Sequence, residues 1–202
     1  KIVFNLVRKA PVLNRFLLSF FLYSMGVQTV MLVAAGFAKK EIFPEKKDEP
    51  KLLITMIIIQ LIAIFGALLM SRLSKKVGNI WVLILAVVIW IGACICGYYV
   101  KTQTQLYFLA AVIGLVMGGI QSMSRSTYAK LLPATTDTTS YFSFYDVTEK
   151  IALFLGLFVF GTIEHLTGSI RNSILFLIIF FVFGLISLFN TKRAATRDKY
   201  ET

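Results

Sequence analysis

The stretch Gly114–Lys150, GLVMGGIQSMSRSTYAKLLPATTDTTSYFSFYDVTEK, decides the fold. It leaves one apolar segment, crosses a short polar link containing Pro133, and enters the next apolar segment. At 100° per residue, Gly114, Gly118, Gln121 and Arg125 fall on one narrow stripe of a helix. Beyond the link, Ser143, Asp146, Glu149 and Lys150 share a second stripe. Charged residues inside apolar helices face protein or a water-filled cavity rather than lipid. Two successive helices with polar faces near the same end therefore predict a common polar surface.

The surrounding composition sets the solvent. The 202-residue chain is 57% hydrophobic and only 15% charged, with a mean hydropathy of +0.79. A soluble domain carries roughly 25% charged residues, so this chain cannot cover a water-facing surface. Its apolar runs reach about 20 residues, the length that spans a bilayer. The fold class is an all-α polytopic membrane protein. The net charge of +11 raises nucleic acid as a partner. The basic residues flank apolar segments and form no separate patch, which excludes that reading. Cys94 and Cys96 point to different sides of one helix and cannot bridge. With His165 the sole histidine, no metal-ligand cluster is visible. No nucleotide-binding loop and no paired nucleophile and base are present, so neither a cofactor nor an enzyme activity is expected.

Six spans are read, over about 12–37, 52–73, 80–100, 106–128, 139–163 and 170–189. The link KKEIFPEKKDEPK, with breakers Pro44 and Pro50, separates the first two. A basic turn, SRLSKKVGN, separates the second and third. Thirteen Lys and Arg residues fall on the side of the N-terminal stretch (Lys1, Arg8, Lys9, Arg15), the Lys75–Lys76 turn, the link after span four and the tail. Seven fall on the other side, Lys39, Lys40, Lys46, Lys47, Lys51, Lys101 and Arg171. Basic residues concentrate in the cytoplasm, so both termini are expected there. Tyr98, Tyr99 and Trp81 fit an aromatic belt at the interfaces.

Spans three and six are free of charge, and each closes a group of three whose first two members carry polar residues. Two tandem three-helix units have opposite orientations, because three is odd. That is the inverted-repeat plan of many secondary transporters. The charge-free spans are expected to face lipid, and the polar spans to face protein or a cavity.

Several stretches together carry a family likeness. GGIQSMSRSTYAKLLP (118–133) and YFSFYDVTEKIALFLG (141–156) resemble the C-terminal half of the autophagy-related vacuolar effluxers of the major facilitator superfamily. FFLYSMGVQTV (20–30) and IIIQLIAIFGALL (57–69) add to it, and the likeness extends from about Phe16 to Phe189. The resemblance implies a twelve-span protein of which these six are the second half. The chain, beginning at Lys1, is then a piece that lacks the N-terminal half. It further implies alternating-access transport of a small polar or amphipathic solute such as an amino acid, in the inner (plasma) membrane of a bacterium. Its partners would be membrane lipid, the N-terminal half and the solute, with self-association when isolated. The alternative is a non-transporting scaffold or a partner-binding half-transporter. Two positions depart from the family pattern. Met25 stands where relatives commonly carry an acid, and Lys75 replaces the acid of the G-x-L-x-D-R-x-G turn.

The candidate site residues divide into two groups. Tyr23, Gln28, Gln60, Gln121, Ser122 and Arg125 are expected along a solute path. Buried amides and hydroxyls must find partners, either a solute or a neighbouring helix. Arg125 suits a bidentate hold on a carboxylate, or it snorkels to the interface. Asp146, Glu149 and Lys150 are the candidates for a gate or for ion coupling. Asp146 and Lys150, at i,i+4, are expected to pair along their helix, which also suits a purely structural role. Gly114, Gly118 and Gly119 suit either a flexible path or close packing of two helices.

Overall fold

The computed structural model describes residues 10–45, 48–133 and 137–201, with side chains as far as residue 196. The basic residues Lys1, Arg8, Lys9, Lys46 and Lys47, and the side chains of Arg197 and Lys199, lie outside the described part. The described residues form helices and no strand. The helices are α1 (Pro11–Glu41), α2 (Glu49–Val77), α3 (Asn79–Tyr99), α4 (Gln103–Leu131), α5 (Thr138–Thr167), α6 (Ile170–Phe176) and α7 (Ile178–Glu201).

Local chemistry sets the boundaries. Pro11 opens α1 in the first turn, where a missing N–H costs nothing. Lys39 and Lys40 close α1, facing the negative end of its dipole. A capping box between Thr102 and Gln105 starts α4. Asp137 caps α5 by accepting from the Ser140 N–H at 3.2 Å, and these bonds hold its carboxyl below the usual range. Gly168, at φ +65°, ends α5 in the left-handed conformation that glycine adopts freely. The expected basic turn between spans two and three is much shorter than its sequence suggests. Helix α2 continues through Lys75 and Lys76, and Gly78 at φ +89° alone makes the reversal. Polar, helix-compatible residues prolong the other spans similarly, by a turn or less at most ends. The sixth span is one helical path with a tightened step at Leu177, whose N–H donates to the Ile174 carbonyl at 3.2 Å.

Among the described residues, five stretches are long and apolar enough to cross a membrane: Pro11–Glu41, Glu49–Val77, Asn79–Tyr99, Gln103–Leu131 and Ile170–Thr196. Helix α5, the expected fifth span, is not among them and carries Asp146, Glu149, Lys150 and Glu164.

Helix α1 is the spine. It packs on α5 and α7, while α4 packs on α2 and α3. Phe16, Phe20, Tyr23 and Val27 of α1 are buried, and Phe181 of α7 stacks on Trp90 of α3 at 5.8 Å. Helices α2 and α4 meet through glycines. A Cβ on Gly114 would stand 2.6 Å from the Ile59 carbonyl oxygen, and Gly118 lies as tightly on Ala63. Small residues let two backbones approach where side chains would hold them apart. Gly119 leaves room for the Met70 side chain. Close packing is thus the role the fold gives these three glycines. Around the bundle, Leu61, Phe65, Phe108 and Phe154 are exposed. In water so much bare apolar surface would aggregate, whereas acyl chains solvate it. Charge-free α3 is not simply a lipid-facing helix: half of its apolar window is buried, against 17% for α2.

The two ends differ. At one, here called the basic end, Lys130 donates to Asn79 at 3.0 Å, and Lys192 sits 3.4 Å above the Trp81 ring. At the opposite end Arg171 bonds Glu41 at 2.6 Å and the Tyr98 carbonyl at 2.6 Å, and Lys40 bonds Glu164 at 2.8 Å.

Candidate functional site

Between α1, α4 and α5 lies a cavity of about 490 Å³ lined by Gln28, Gly118, Gln121, Ser122, Arg125, Tyr145, Glu149, Lys150 and Leu153. Its size falls within the roughly 300–1,000 Å³ of small-molecule sites. On α5 it runs from Tyr145 to Leu153, which is about 10 to 22 Å from the start of that helix. A second enclosed space, bounded by Val30, Ala34, Leu106 and Ala110 among others, is apolar and only about 60 Å³. The polar cavity is the better candidate on both counts.

Each helix supplies one part. Gln28 of α1 donates its amide N–H to Glu149 Oε1 of α5 at 2.5 Å. Arg125 of α4 donates to Asp146 Oδ1 of α5 at 2.9 Å, and its guanidinium stands 5.7 Å from the Tyr145 ring centre. Gln121 turns its amide toward the Met31 sulfur at 3.5 Å. Ser122 bonds the Gly119 carbonyl within its own helix at 3.0 Å. Lys150 is exposed and has no carboxylate within 4.0 Å among the described residues.

Toward the basic end an aromatic layer underlies the cavity. Phe20 stacks on Tyr145 with centroids 4.1 Å apart, and Tyr128 lies 5.0 Å from Tyr145. Ser124 donates to the Ile120 carbonyl at 2.6 Å, so the buried Tyr23 hydroxyl donates to Ser124 Oγ at 2.6 Å. Tyr128 donates to the Tyr141 carbonyl at 2.7 Å. These bonds satisfy the hydroxyls that an apolar setting would otherwise leave costly.

Six of the nine residues expected from the sequence line this cavity: Gln28, Gln121, Ser122, Arg125, Glu149 and Lys150. Three do not. Tyr23 is 2% exposed and belongs to the aromatic layer behind it. Gln60 is on the exposed face of α2, a helix that contributes nothing to the cavity. Asp146 lies at the edge, in a shallow groove with Val147, Lys150, Ile151 and Phe154. The expected Asp146–Lys150 pair is replaced by Asp146–Arg125. The reason is geometric: α5 turns Asp146 toward α4, where a long arginine reaches it. Tyr145 and Leu153 are additions. With Glu149 they fall at i, i+4 and i+8, so one stripe carries all three, offset from the stripe centred on Ser143 and Asp146. Ser143 instead bonds the Thr139 carbonyl at 3.0 Å, away from the cavity. Among the described residues no three His, Cys, Asp or Glu side chains group as a metal site.

Chemically, the cavity offers two cations, one carboxylate, two amides and a hydroxyl beside an aromatic ring and a leucine. Such a set can pair with groups of both charges and pack against a modest apolar surface.

The family described as "Vacuole effluxer Atg22 like" matches residues 2–199. An uncharacterised MFS-type transporter, YxiO, of Bacillus subtilis (strain 168) is 28% identical over 182 residues, covering 90% of this chain and 41% of that protein. Autophagy-related protein 22 of Cryptococcus neoformans var. neoformans is 32% identical over 192 residues, covering 87% of this chain and 33% of that protein. The protein of the same name in Kluyveromyces lactis is 29% identical over 184 residues, covering 84% and 36%. The chain therefore spans about a third to two-fifths of the length of these relatives. With the apolar helices and the match along almost the whole sequence, this multi-pass membrane protein belongs to the vacuole effluxer Atg22-like family.

Proposed function

We propose that the chain is one six-helix half of a secondary transporter, and that the cavity between α1, α4 and α5 is its share of the solute path. The observation that carries this reading is the cavity itself. A polar, charge-bearing space of about 490 Å³ sits within helices that are otherwise apolar. A scaffold has no use for Gln28, Arg125, Glu149 and Lys150 there, and burying charge in a membrane is costly unless it serves something. The solute we favour is a small zwitterion such as an amino acid. Arg125 would receive its carboxylate, Glu149 its ammonium group, and Leu153 and Tyr145 its side chain.

Helix packing supports two three-helix repeats. Exchanging α1–α3 with α4, α5 and the α6–α7 path turns the α1·α5 contact into α4·α2. It likewise turns α1·α7 into α4·α3, and α3·α7 into itself. The glycine contacts follow the same exchange. Gly66 of α2 abuts the Leu115 backbone of α4, and Gly156 of α5 abuts the Met25 backbone of α1. Repeats of this kind bind solute near the membrane midplane and expose it alternately to the two sides by rocking of two halves. The second half would close the open side of the cavity.

The test is flux. This chain, joined to or co-expressed with an N-terminal half, is reconstituted in vesicles, and uptake of each of the twenty amino acids is measured with and without a proton gradient. Concentrative uptake of at least one, abolished by Arg125→Ala together with Glu149→Gln at normal expression, is the expected result. A well-folded two-half protein that moves none of them favours the scaffold reading.

A further inference from the structure

We infer that Asp146 is a built-in competitor for the solute's carboxylate: it occupies Arg125 in the empty site and passes to Lys150 when solute binds. This rests on the transporter reading above and concerns how the same cavity is regulated.

Asp146 stands between two cations. One is Arg125, whose Nη2 lies 2.9 Å from Oδ1 across the seam between α4 and α5. The other is Lys150, one turn further along α5, within reach by the usual i,i+4 geometry. Lys150 has no carboxylate within 4.0 Å among the described residues. Glu149 is turned away from it, held by Gln28 at 2.5 Å, and adjacent residues on a helix do not face each other. Lys150 lines the cavity beside Arg125, and it also lines the outer groove beside Asp146. It is thus placed to serve either carboxylate.

The Arg125–Asp146 bridge is also easy to open. Its side chains are 58% and 51% exposed, and ion pairs so open to solvent hold weakly. Helices α4 and α5 share little direct backbone packing: α4 packs on α2, α3 and α1, whereas α5 packs on α1 and α6. Breaking the bridge disturbs no glycine contact and no buried hydroxyl.

Charge balance gives the exchange its direction. In the empty site Arg125 neutralises Asp146, and Lys150 lacks a partner. A carboxylate arriving at Arg125 takes over the guanidinium and leaves Asp146 without that partner. Lys150 accepts it, so after the exchange both cations and both carboxylates are paired. A solute without a carboxylate cannot drive this step. The device therefore selects for the acid group and links its arrival to release of the α4–α5 bridge.

The experiment is a double-mutant cycle on the complete two-half protein, using L-alanine and its carboxamide as probes. Half-saturation is read both from flux and from thermal stabilisation of purified protein, and each variant's unliganded melting temperature reports its fold. Lys150→Met removes the landing place and should weaken L-alanine about tenfold, the weight of one charge-assisted hydrogen bond. Asp146→Asn removes the competitor and should tighten L-alanine. Lys150→Met with Asp146→Asn should return it to the wild-type value or better. The carboxamide should not reproduce this pattern. Where Asp146→Asn fails to fold, Asp146→Ser takes its place. A double variant as weak as Lys150→Met alone overturns the exchange, because Lys150 then holds the solute itself. Weaker binding in Asp146→Asn overturns it too, as does a cycle in which no variant differs. If the wild type binds and moves none of the twenty amino acids, the amino-acid reading fails and the exchange fails with it.

Discussion

The carbonyl oxygen of Leu115 on α4 fills the space that a side chain at Gly66 on α2 would take. The same crossing seats Gly114 on Ile59 and Gly118 on Ala63, so α2 is held by backbone-to-backbone contact rather than by interlocking side chains. That suits a helix with little of its apolar window buried. Gly66→Val should push α2 off α4 and cost at least the 1–3 kcal/mol typical of overpacking, with about that much again from lost contacts along the crossing. The control is Gly161→Ala, where nothing lies within 4 Å and helix propensity gains up to about 1 kcal/mol. Melting curves in detergent report both. Equal melting of Gly66→Val and wild type would show that the crossing is looser than described.

The sequence exposed the class of fold because apolar length is a one-dimensional property. Spans and the breaker residues Pro44 and Pro50 are read from neighbours in the chain, whereas the reversal at Gly78 and the helix end at Gly168 appear only in the structure. Side-chain pairing is different. Asp146 had a visible partner in Lys150 four residues away, yet it chose Arg125, twenty-one positions earlier on another helix. Tyr23 and Gln60 looked alike as polar residues inside apolar spans. Only the packing of α1 on α4 puts Tyr23 behind the site, and only the position of α2 takes Gln60 away from it. The stripe arithmetic on α4 coincides with the cavity lining at Gly118, Gln121 and Arg125, since helix rotation there is fixed by glycines. On α5 it missed by about one residue, because the face was chosen from its charges and not from Tyr145 and Leu153.

Arg171 ties three elements at the end opposite the basic one. It donates to Glu41 at the end of α1 and to the Tyr98 carbonyl of α3 while starting α6, and its guanidinium lies 5.6 Å from the Phe37 ring centre. Glu41 and Arg171 are only about a quarter exposed. Arg171→Ala should cost about 1.5–3 kcal/mol, as expected for hydrogen bonds to a charged group. Arg171→Lys should recover less than half, because one ammonium cannot reproduce the planar fork that serves a carboxylate and a carbonyl together. Thermal unfolding of the three proteins side by side decides this, and full recovery by lysine would reduce the contact to simple charge.

The Gln28–Glu149 bond is the cavity's only described side-chain bond between α1 and α5. Gln28→Leu keeps the size of the side chain and removes the donor, leaving Glu149 with no hydrogen-bond partner among the described residues. A buried-to-half-buried carboxylate losing its donor costs about 1–3 kcal/mol. Gln28→Asn should fall between leucine and wild type, since the shorter amide keeps a donor near Glu149 but reaches it only at a longer distance. On the proposed role of Glu149, solute binding should weaken in the same order as stability. A leucine variant as stable as wild type would mean that water already serves Glu149.

Charge pairing separates the two ends more sharply than a count of lysines does. At the end opposite the basic one, Lys39 faces Glu49 at 3.8 Å, Lys40 faces Glu164 at 2.8 Å, Lys51 faces Asp48 at 2.8 Å and Arg171 faces Glu41 at 2.6 Å, with Lys101 the exception among the described residues. At the basic end Arg15, Arg72, Lys75, Lys76, Lys130, Lys192 and Arg193 have no carboxylate within 4.0 Å among the described residues. Cations without a carboxylate there can hold anionic lipid headgroups, whose attraction is about 1 kcal/mol per basic residue at the cytoplasmic leaflet. Both this and the bias of Lys and Arg toward cytoplasmic loops predict the same orientation. Single cysteines should therefore report opposite sides. Lys40→Cys should react with an impermeant thiol reagent in intact cells, and Lys75→Cys only after the membrane is opened. The native Cys94 and Cys96 must first be replaced by alanine, since Cys96 is exposed. Labelling of Lys75→Cys from outside, with Lys40→Cys protected, would invert the topology and with it the direction in which the cavity faces.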